Sequence, residues 1–413
     1  MAAAPALAQQ SPAPDQSMFA RDRNVSVAER PHPGYDPLPV PVGAFTALPR
    51  LDAGIEYNDN IYAVQTGRKT DEVFTINPEL DLSSNWSRNS LSGFARSASR
   101  IYDRYTSETS TDWQIGGQGR LDAGSGFLTA GGDTGELTEP RTSPNAVTGS
   151  VHPIRYQQSD GYFGAVEEMN RIRLTGRLDI TSLDYHNGRD SHGLTVLEDD
   201  RDRTVYIYSA KAEYAISPDT SVYIDGSFND HQYRLRPPSA LVAIDRNSHG
   251  ETFNVGASFD ITHLIRGDVQ VGYLKQDFTS HSFSSASGFG AQGRVEWFPT
   301  ELTTVTLTGA RQIQDAAASG SAAYLASNIG GQVDHELLRN LILTGRVAYE
   351  DDSYRGIVRD DHTTSAYVGA RYLINRTVGV TVGYTYMDQT SSGAAAGPRF
   401  TDNKIMASAN FRF

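Results

Sequence analysis

Cysteine is absent from the 413 residues, so neither a disulfide framework nor thiol chemistry is available. No window approaches the ~20 consecutive apolar residues of a membrane-spanning helix, and the mean hydropathy is -0.44. A helical membrane protein is therefore excluded. Cationic residues are in deficit, with 36 Lys and Arg against 49 Asp and Glu, and the net charge of -13 argues against nucleic acid as a partner. Catalytic spacings are missing as well. The ten histidines fall mainly in predicted connections, none in an H-E-x-x-H pair that would set two ligands on one helical face. No Ser/His or Asp/His constellation can be placed at a strand end, so the sequence predicts no enzyme, no metal site and no cofactor. Gly116-Gly117-Gln118-Gly119 lacks the Lys-Ser/Thr and following helix of a phosphate loop, and reads as small residues on a crowded strand.

What the chain does have is aromatics and glycine, 21 Tyr, 16 Phe and 38 Gly, which suit a sheet with aromatic girdles and tight turns. From about residue 45 the apolar period is two. Leu51, Ala53, Ile55 and Tyr57 alternate with Asp52, Gly54 and Glu56, and Leu174, Leu178 and Ile180 alternate with Arg173, Arg177 and Asp179. The same pattern recurs at Phe253–Ile261, Phe289–Trp297, Leu341–Tyr349 and Val378–Tyr386. A helix would spread those charges around its surface; a strand puts them all on one face.

Such runs recur roughly every 20 residues and number about 18. Their connections alternate in length. Short ones lie near Asp122 to Gly126, Glu167 to Asn170, Ser217 to Thr220, Phe298 to Glu301, His335 to Asn340 and Leu373 to Thr377. Long ones lie near Asn58 to Asp71, Asp133 to Gln158, Leu183 to Arg203, Gln232 to His249 and Met387 to Asn403. Short periplasmic turns opposite long outer loops are the asymmetry of an outer-membrane barrel, and a sandwich or propeller has no reason to show it. The expected fold is all-β: one closed antiparallel transmembrane β-barrel of about 18 strands, over residues 45–413. Both termini would be periplasmic, as an even strand number requires. In the last strand Ile405, Ala407, Ala409, Phe411 and Phe413 share the lipid face.

Before the barrel, residues 1–8 read as the end of a secretory signal, with Ala6-Leu7-Ala8 as the cleavage site and the mature chain starting near Gln9. Residues 9–44 form a Pro-rich segment. Its run from Glu29 to Pro41 should be extended, and it is either a plain linker or an arm that docks a periplasmic partner or lines the pore. The docking candidates are Glu29, Arg30, Pro31, Tyr35, Asp36 and Pro37.

Glu29-Arg30-Pro31, Tyr35-Asp36-Pro37, Val42-Gly43-Ala44-Phe45 with Pro49 and Leu51, and Asn58-Asp59-Asn60-Ile61-Tyr62 are followed by Pro78-Glu79-Leu80, Ser84-Asn85-Trp86-Ser87-Arg88 and Gly119-Arg120-Leu121-Asp122. In these motifs, and more diffusely on to Phe413, the chain resembles the putative β-barrel porin 2 family of Gram-negative outer-membrane proteins. The resemblance implies a barrel of about this strand count, with the terminal Phe413, and Phe411 beside it, as the signal for membrane insertion. It also implies that the protein is the conduit for a secreted polysaccharide, fed by a periplasmic polysaccharide-export protein. Asn58 stands where the family more often has Asp.

A closed sheet of this strand number encloses water rather than a packed core. Its lumen wall is expected to carry Asp112, Gln114, Gln118, Arg120, Arg173, Arg177, Asp179, Asp225, Arg294, Glu296, Arg346 and Arg371. Mixed signs suit a hydrated polymer that slides without being held; for any single residue, pairing across strands is the plainer role. The acidic runs Glu198-Asp199-Asp200-Arg201-Asp202 and Glu350-Asp351-Asp352 to Asp360-Asp361 have no ordered ligand spacing, so solvated loop ends are expected in preference to Ca²⁺ or lipopolysaccharide sites. Expected partners are outer-membrane lipid and lipopolysaccharide, the export protein and the translocated polysaccharide. Three functions remain open: polysaccharide conduit, porin for small solutes, and structural anchor. A TonB-dependent transporter is disfavoured, because too few residues precede the first strand to form a plug domain.

Overall fold

The computed structural model describes residues 25–147, 149–237, 244–262 and 264–413; the expected signal end at 1–8 and the first part of the arm lie outside them, as does His263. Among the described residues eighteen long strands form one closed antiparallel sheet, to whose first strand the short Val40–Val42 is added. They are β1 (Phe45–Asn58), β2 (Asp71–Ser84), β3 (Ser90–Tyr102), β4 (Ser110–Ala123), β5 (Gly126–Thr138) and β6 (Arg155–Met169). Then come β7 (Ile172–Tyr185), β8 (Arg203–Ser217), β9 (Thr220–Tyr233), β10 (Ser248–Ile261), β11 (Ile265–Phe278) and β12 (Ala286–Thr300). The last six are β13 (Thr303–Asp315), β14 (Ala323–Leu338), β15 (Leu341–Tyr354), β16 (Asp360–Leu373), β17 (Val378–Ser392) and β18 (Phe400–Arg412). Each pairs with its sequence neighbour, and β18 returns to β1 from Arg50↔Arg412 to Asn58↔Lys404, which closes the ring and leaves no free edge.

The alternation seen in the sequence is the alternation of the wall. Ile55, Tyr57, Leu174, Phe253, Val255, Phe289, Trp297, Val347, Val382, Tyr384 and Ile405 are exposed on one face. The side chains between them carry the charges and face the lumen, because segments that cross the ring make contact with that face. Strands of 13 to 16 residues exceed the roughly 9–11 residues that cross hydrocarbon. Both ends of the wall therefore stand clear of the membrane and offer ledges on which other segments fold.

At the end holding the termini the turns are tight. Gly124 and Ser125 alone join β4 to β5, with Gly124 at a φ of +65°, a left-handed conformation that glycine takes without a Cβ clash. The opposite end carries the longer connections, as the spacing predicted. They are shorter than predicted because strands run on past the apolar band: the connection expected over Asp133 to Gln158 is only residues 139–154. Several histidines expected in connections, among them His231, His249, His335 and His362, lie in strands for the same reason.

Residues 25–42 depart from the extended arm. Two turns, closed by the Arg30 N–H on the Ser26 carbonyl (2.9 Å) and the Asp36 N–H on the His32 carbonyl (3.0 Å), interrupt it. Only the end near Val40–Val42, paired antiparallel with the start of β1, is a strand.

Candidate functional site: the lumen and its two mouths

The strap formed by residues 25–42 leaves β1 and reaches β11–β14, about a third of the way round the ring, so it crosses the mouth at the terminal end. The Val27 N–H donates to Thr304 Oγ1 (2.9 Å), with Val27 at 0% exposure. Arg30 pairs with Glu336 (3.4 Å) and donates to the Glu301 carbonyl, while Arg266 donates to Glu29 (3.1 Å). Asp36, another docking candidate, accepts the His32 N–H (2.6 Å). The strap thus rests on the barrel's own residues at this mouth, at Arg266, Glu301, Thr304 and Glu336.

The opposite mouth is crossed from the other side. Residues 139–154 spring from β5 and β6, and Asn145 near their tip donates to the Asp315 carbonyl (3.2 Å) and accepts the Ala317 N–H (2.9 Å). Those partners stand eight strands away in a ring of 18, nearly the diameter. The base of this loop is bound by Arg201, whose guanidinium meets Glu139 (2.7 Å) and Glu198 (2.9 Å) with all three groups buried. Burial opposes the charge on Arg201, yet the two carboxylates outweigh it and hold the guanidinium above its ordinary pKa. Burial pushes the Glu198 carboxyl up despite Arg201. Further in, Asp315 of β13 bridges to His231 of β9 (3.2 Å) and Arg203 of β8 (2.9 Å), tying non-adjacent strands across the inside. The acidic runs expected to be solvated are thus buried at Glu198, Asp202, Asp352 and Asp361. Glu198 and Asp202 lie in a loop that turns inward and uses the charges as ties, to Arg201 (2.9 Å) and to the Tyr185 N–H (2.7 Å). Asp352 and Asp361 instead lie in β15 and β16, where Asp361 accepts from Arg359 (3.1 Å) and Asp352 Oδ1 is buried without a partner.

Between the mouths, the twelve lumen candidates all sit on the inner-face alternation, spread around the ring without converging. Most are paired. Asp112 accepts from Thr138 (2.6 Å), Gln114 bridges Arg96 and Asp133, and Gln118 accepts from Tyr162 Oη (2.7 Å). Arg120 meets Asp122 (2.8 Å) while lying 3.6 Å over the Phe127 ring. Arg177 binds Asp179 (2.7 Å) and lies 4.0 Å over Tyr162. Arg173 is buried beside Glu168 (3.8 Å), Glu296 is shared by Arg266 and Arg294, and Arg346 donates to Gln332 (2.9 Å). Asp225 accepts from Asn254 (3.3 Å), and Arg371 is on the inner face of β16. The wall is polar and mixed in sign, with its charges largely compensated in place. Gly116 also fits its sequence reading: a Cβ there would meet Asp133 Cβ at 2.5 Å and the Phe94 ring at 2.8 Å. At the far end of the chain Phe413 is 54% exposed, its N–H on the Pro49 carbonyl (3.1 Å).

The sequence alone did not single out Lys211, Ser209, Ser227, Thr252 and Asn254. Alternation marks each as inward, but only the register of three separate strands brings them together. They border a cavity of about 250 Å³ on the inner wall. Among the described residues no group of His, Asp and Glu is arranged to hold a metal ion.

A closed wall, apolar outside, charged inside and long enough to cross a bilayer, defines a porin-like outer-membrane β-barrel. The chain belongs to the family described as "Putative beta-barrel porin 2", which matches residues 32–413. No curated relative matches the sequence. Among solved structures, Acinetobacter baumannii OccAB3 is similar at 11% identity and a TM-score of 0.48, covering 90% of this chain and 100% of that one. Pseudomonas aeruginosa OccK2 (OpdF) is similar at 12% identity and a TM-score of 0.49, covering 89% and 98%. A BenF-like porin from Pseudomonas fluorescens Pf-5 is similar at 11% identity and 0.47, covering 89% and 99%.

Proposed function

We propose that this protein is a porin for small solutes, with the terminal end toward the periplasm, the loop end toward the outside and lipid against its apolar face. Phe413 keeps its proposed role as the insertion signal. The observation that carries the reading is the crossing of both mouths by chain: residues 139–154 at one end and the strap at the other subdivide a lumen that 18 bare strands would leave wide. A narrow, wet passage suits hydrated small molecules better than a polymer. The conduit reading, and with it a polysaccharide-export partner, is set aside in favour of this one.

Liposome swelling with neutral sugars of increasing length tests it. Entry should be fast for monosaccharides and fall steeply by the size of a trisaccharide or tetrasaccharide. Equal entry of long oligosaccharides, or no entry by a folded, heat-modifiable protein, would overturn the porin assignment.

A further inference from the structure

We propose that the recess on the inner wall of β8–β10 is a binding subsite for an uncharged, polyhydroxylated solute of monosaccharide size; this rests on the small-solute porin reading.

The recess has a cause in the register. Ser209, Ser227 and Thr252 stand directly opposite one another on three adjacent strands. Three short hydroxyl side chains in a row make a floor lower than its surroundings. On the terminal side the next inward row is Lys211, Asp225 and Asn254, again in direct register; on the loop side stand Asn229 and Gln276. This floor opens into a cavity of about 250 Å³ whose lining runs on from Thr175 of β7 to Asp315 of β13, room enough for one sugar ring.

The rim is fixed before any ligand arrives. Tyr223 lies flat on the wall over Gly256, where a Cβ would meet its ring at 2.3 Å, and its hydroxyl donates to Asp268 (2.6 Å). The Lys211 ammonium rests 3.8 Å from that ring's centroid, facing Asp225 across the strand pair. Preorganised polar groups of this kind lose little entropy on binding.

The charges decide the ligand class. Lys211 stands opposite Asp225 while resting on the Tyr223 ring, and Arg177 at the edge is bound to Asp179, so the two signs offset each other around the recess and neither a carboxylate nor an amine meets a surplus of opposite charge. What remains unspent is neutral hydrogen-bonding capacity. Asn229 Oδ1 is buried without a partner, and Asp225 accepts a single long bond from Asn254. The floor hydroxyls both donate and accept. A polyol, whose hydroxyls donate and accept alike, matches that set. Binding must stay weak for transport to continue.

The test is blockade of ion current through single channels in planar bilayers by D-glucose, with gluconate and glucosamine as charged counterparts. Glucose should reduce the current in a saturable way, at concentrations about tenfold lower than either charged analogue. Asn229→Ala and Ser227→Leu should each weaken the glucose effect at least fivefold while the sugar-free conductance changes by less than a third. Calorimetric titration of glucose into folded, detergent-solubilised protein supplies a readout independent of conduction. Tighter block by gluconate would overturn the ligand class, and unaltered block in both variants would overturn the location. Open channels indifferent to glucose, with no calorimetric binding, would overturn the subsite while leaving the porin assignment standing. Folded protein that never conducts would overturn that assignment and the subsite together.

Discussion

At the loop end several connections lean on one another through buried ion pairs, whereas the terminal end is crossed by one strap whose ionic contacts are partly in water. The Arg201–Glu139 pair has side-chain exposures of 7% and 5%; the Arg266–Glu29 pair has 28% and 61%. Water and salt weaken the second kind of contact far more than the first. The loop mouth is therefore built as part of the folded wall, and the terminal mouth as an attachment to it.

The sharpest way to break that contrast is to remove Arg201. Arg201→Met leaves Glu139 and Glu198 buried against each other without a counter-charge, which should cost about 3–5 kcal/mol. The loss should be local, read as new protease cleavage within residues 139–154 and 186–202 and as a larger, noisier single-channel current. Unchanged cleavage and current would mean that the loops are held by something other than this cluster.

The wall between the mouths gives the next largest effect. Leu178 faces outward and Arg177 inward on the same strand. Leu178→Arg should cost about 2–4 kcal/mol if it falls near the bilayer midplane, while Arg177→Gln, which gives up a partly exposed pair with Asp179, should cost under about 1 kcal/mol. Urea titrations in lipid vesicles measure both. Equal losses would show the two faces wrongly assigned.

Deleting residues 25–36 acts on the attachment alone. The strap's contacts described above lie at strand ends and one turn, at Arg266, Glu301, Thr304 and Glu336. The shortened protein should keep its heat-modifiable fold and its unfolding free energy, from urea titration, within about 1 kcal/mol, and its conductance should rise by half or more. A collapse of folding would make the strap part of the wall and erase the difference between the mouths.

The wall was legible in the sequence because a period of two needs no knowledge of what lies across the lumen. Strand count, closing aromatic and the inward parity of Arg177 or Asp225 all follow from local alternation. The mouths were not legible. Nothing near Asn145 in the chain announces Asp315, and the acidic run around Arg201 has the composition of a solvated loop until Glu139, some sixty residues earlier, is brought against it. The strap was misread as extended because proline content speaks only for residues that make no turn. His32 and Ser26 accept the turn hydrogen bonds here, and both are ordinary residues in a Pro-rich setting. The recess at Ser209 hides for a related reason: its depth depends on small residues in register across three strands, and register is not written in any one of them.

The smallest effect concerns protons at the loop mouth. Burial holds the Glu198 carboxyl above its ordinary range in spite of Arg201, and burial likewise raises Asp202. A carboxyl whose folded pKa lies above its unfolded value binds protons more readily when folded. Its contribution to stability therefore improves as pH falls through the folded value, the reverse of a carboxylate held down by an ion pair. Glu198→Gln removes that dependence while Glu139 still compensates Arg201. Relative to the parent protein the variant should be unchanged or slightly more stable at pH 7.5, with a smaller advantage at pH 5, because acidification favours the protonated form of the parent's Glu198. Urea midpoints of the two proteins at both pH values measure the difference. If the variant is instead weaker at pH 7.5 and the gap closes on acidification, the Glu198 charge supports the mouth, and its pairing with Arg201 outweighs its burial.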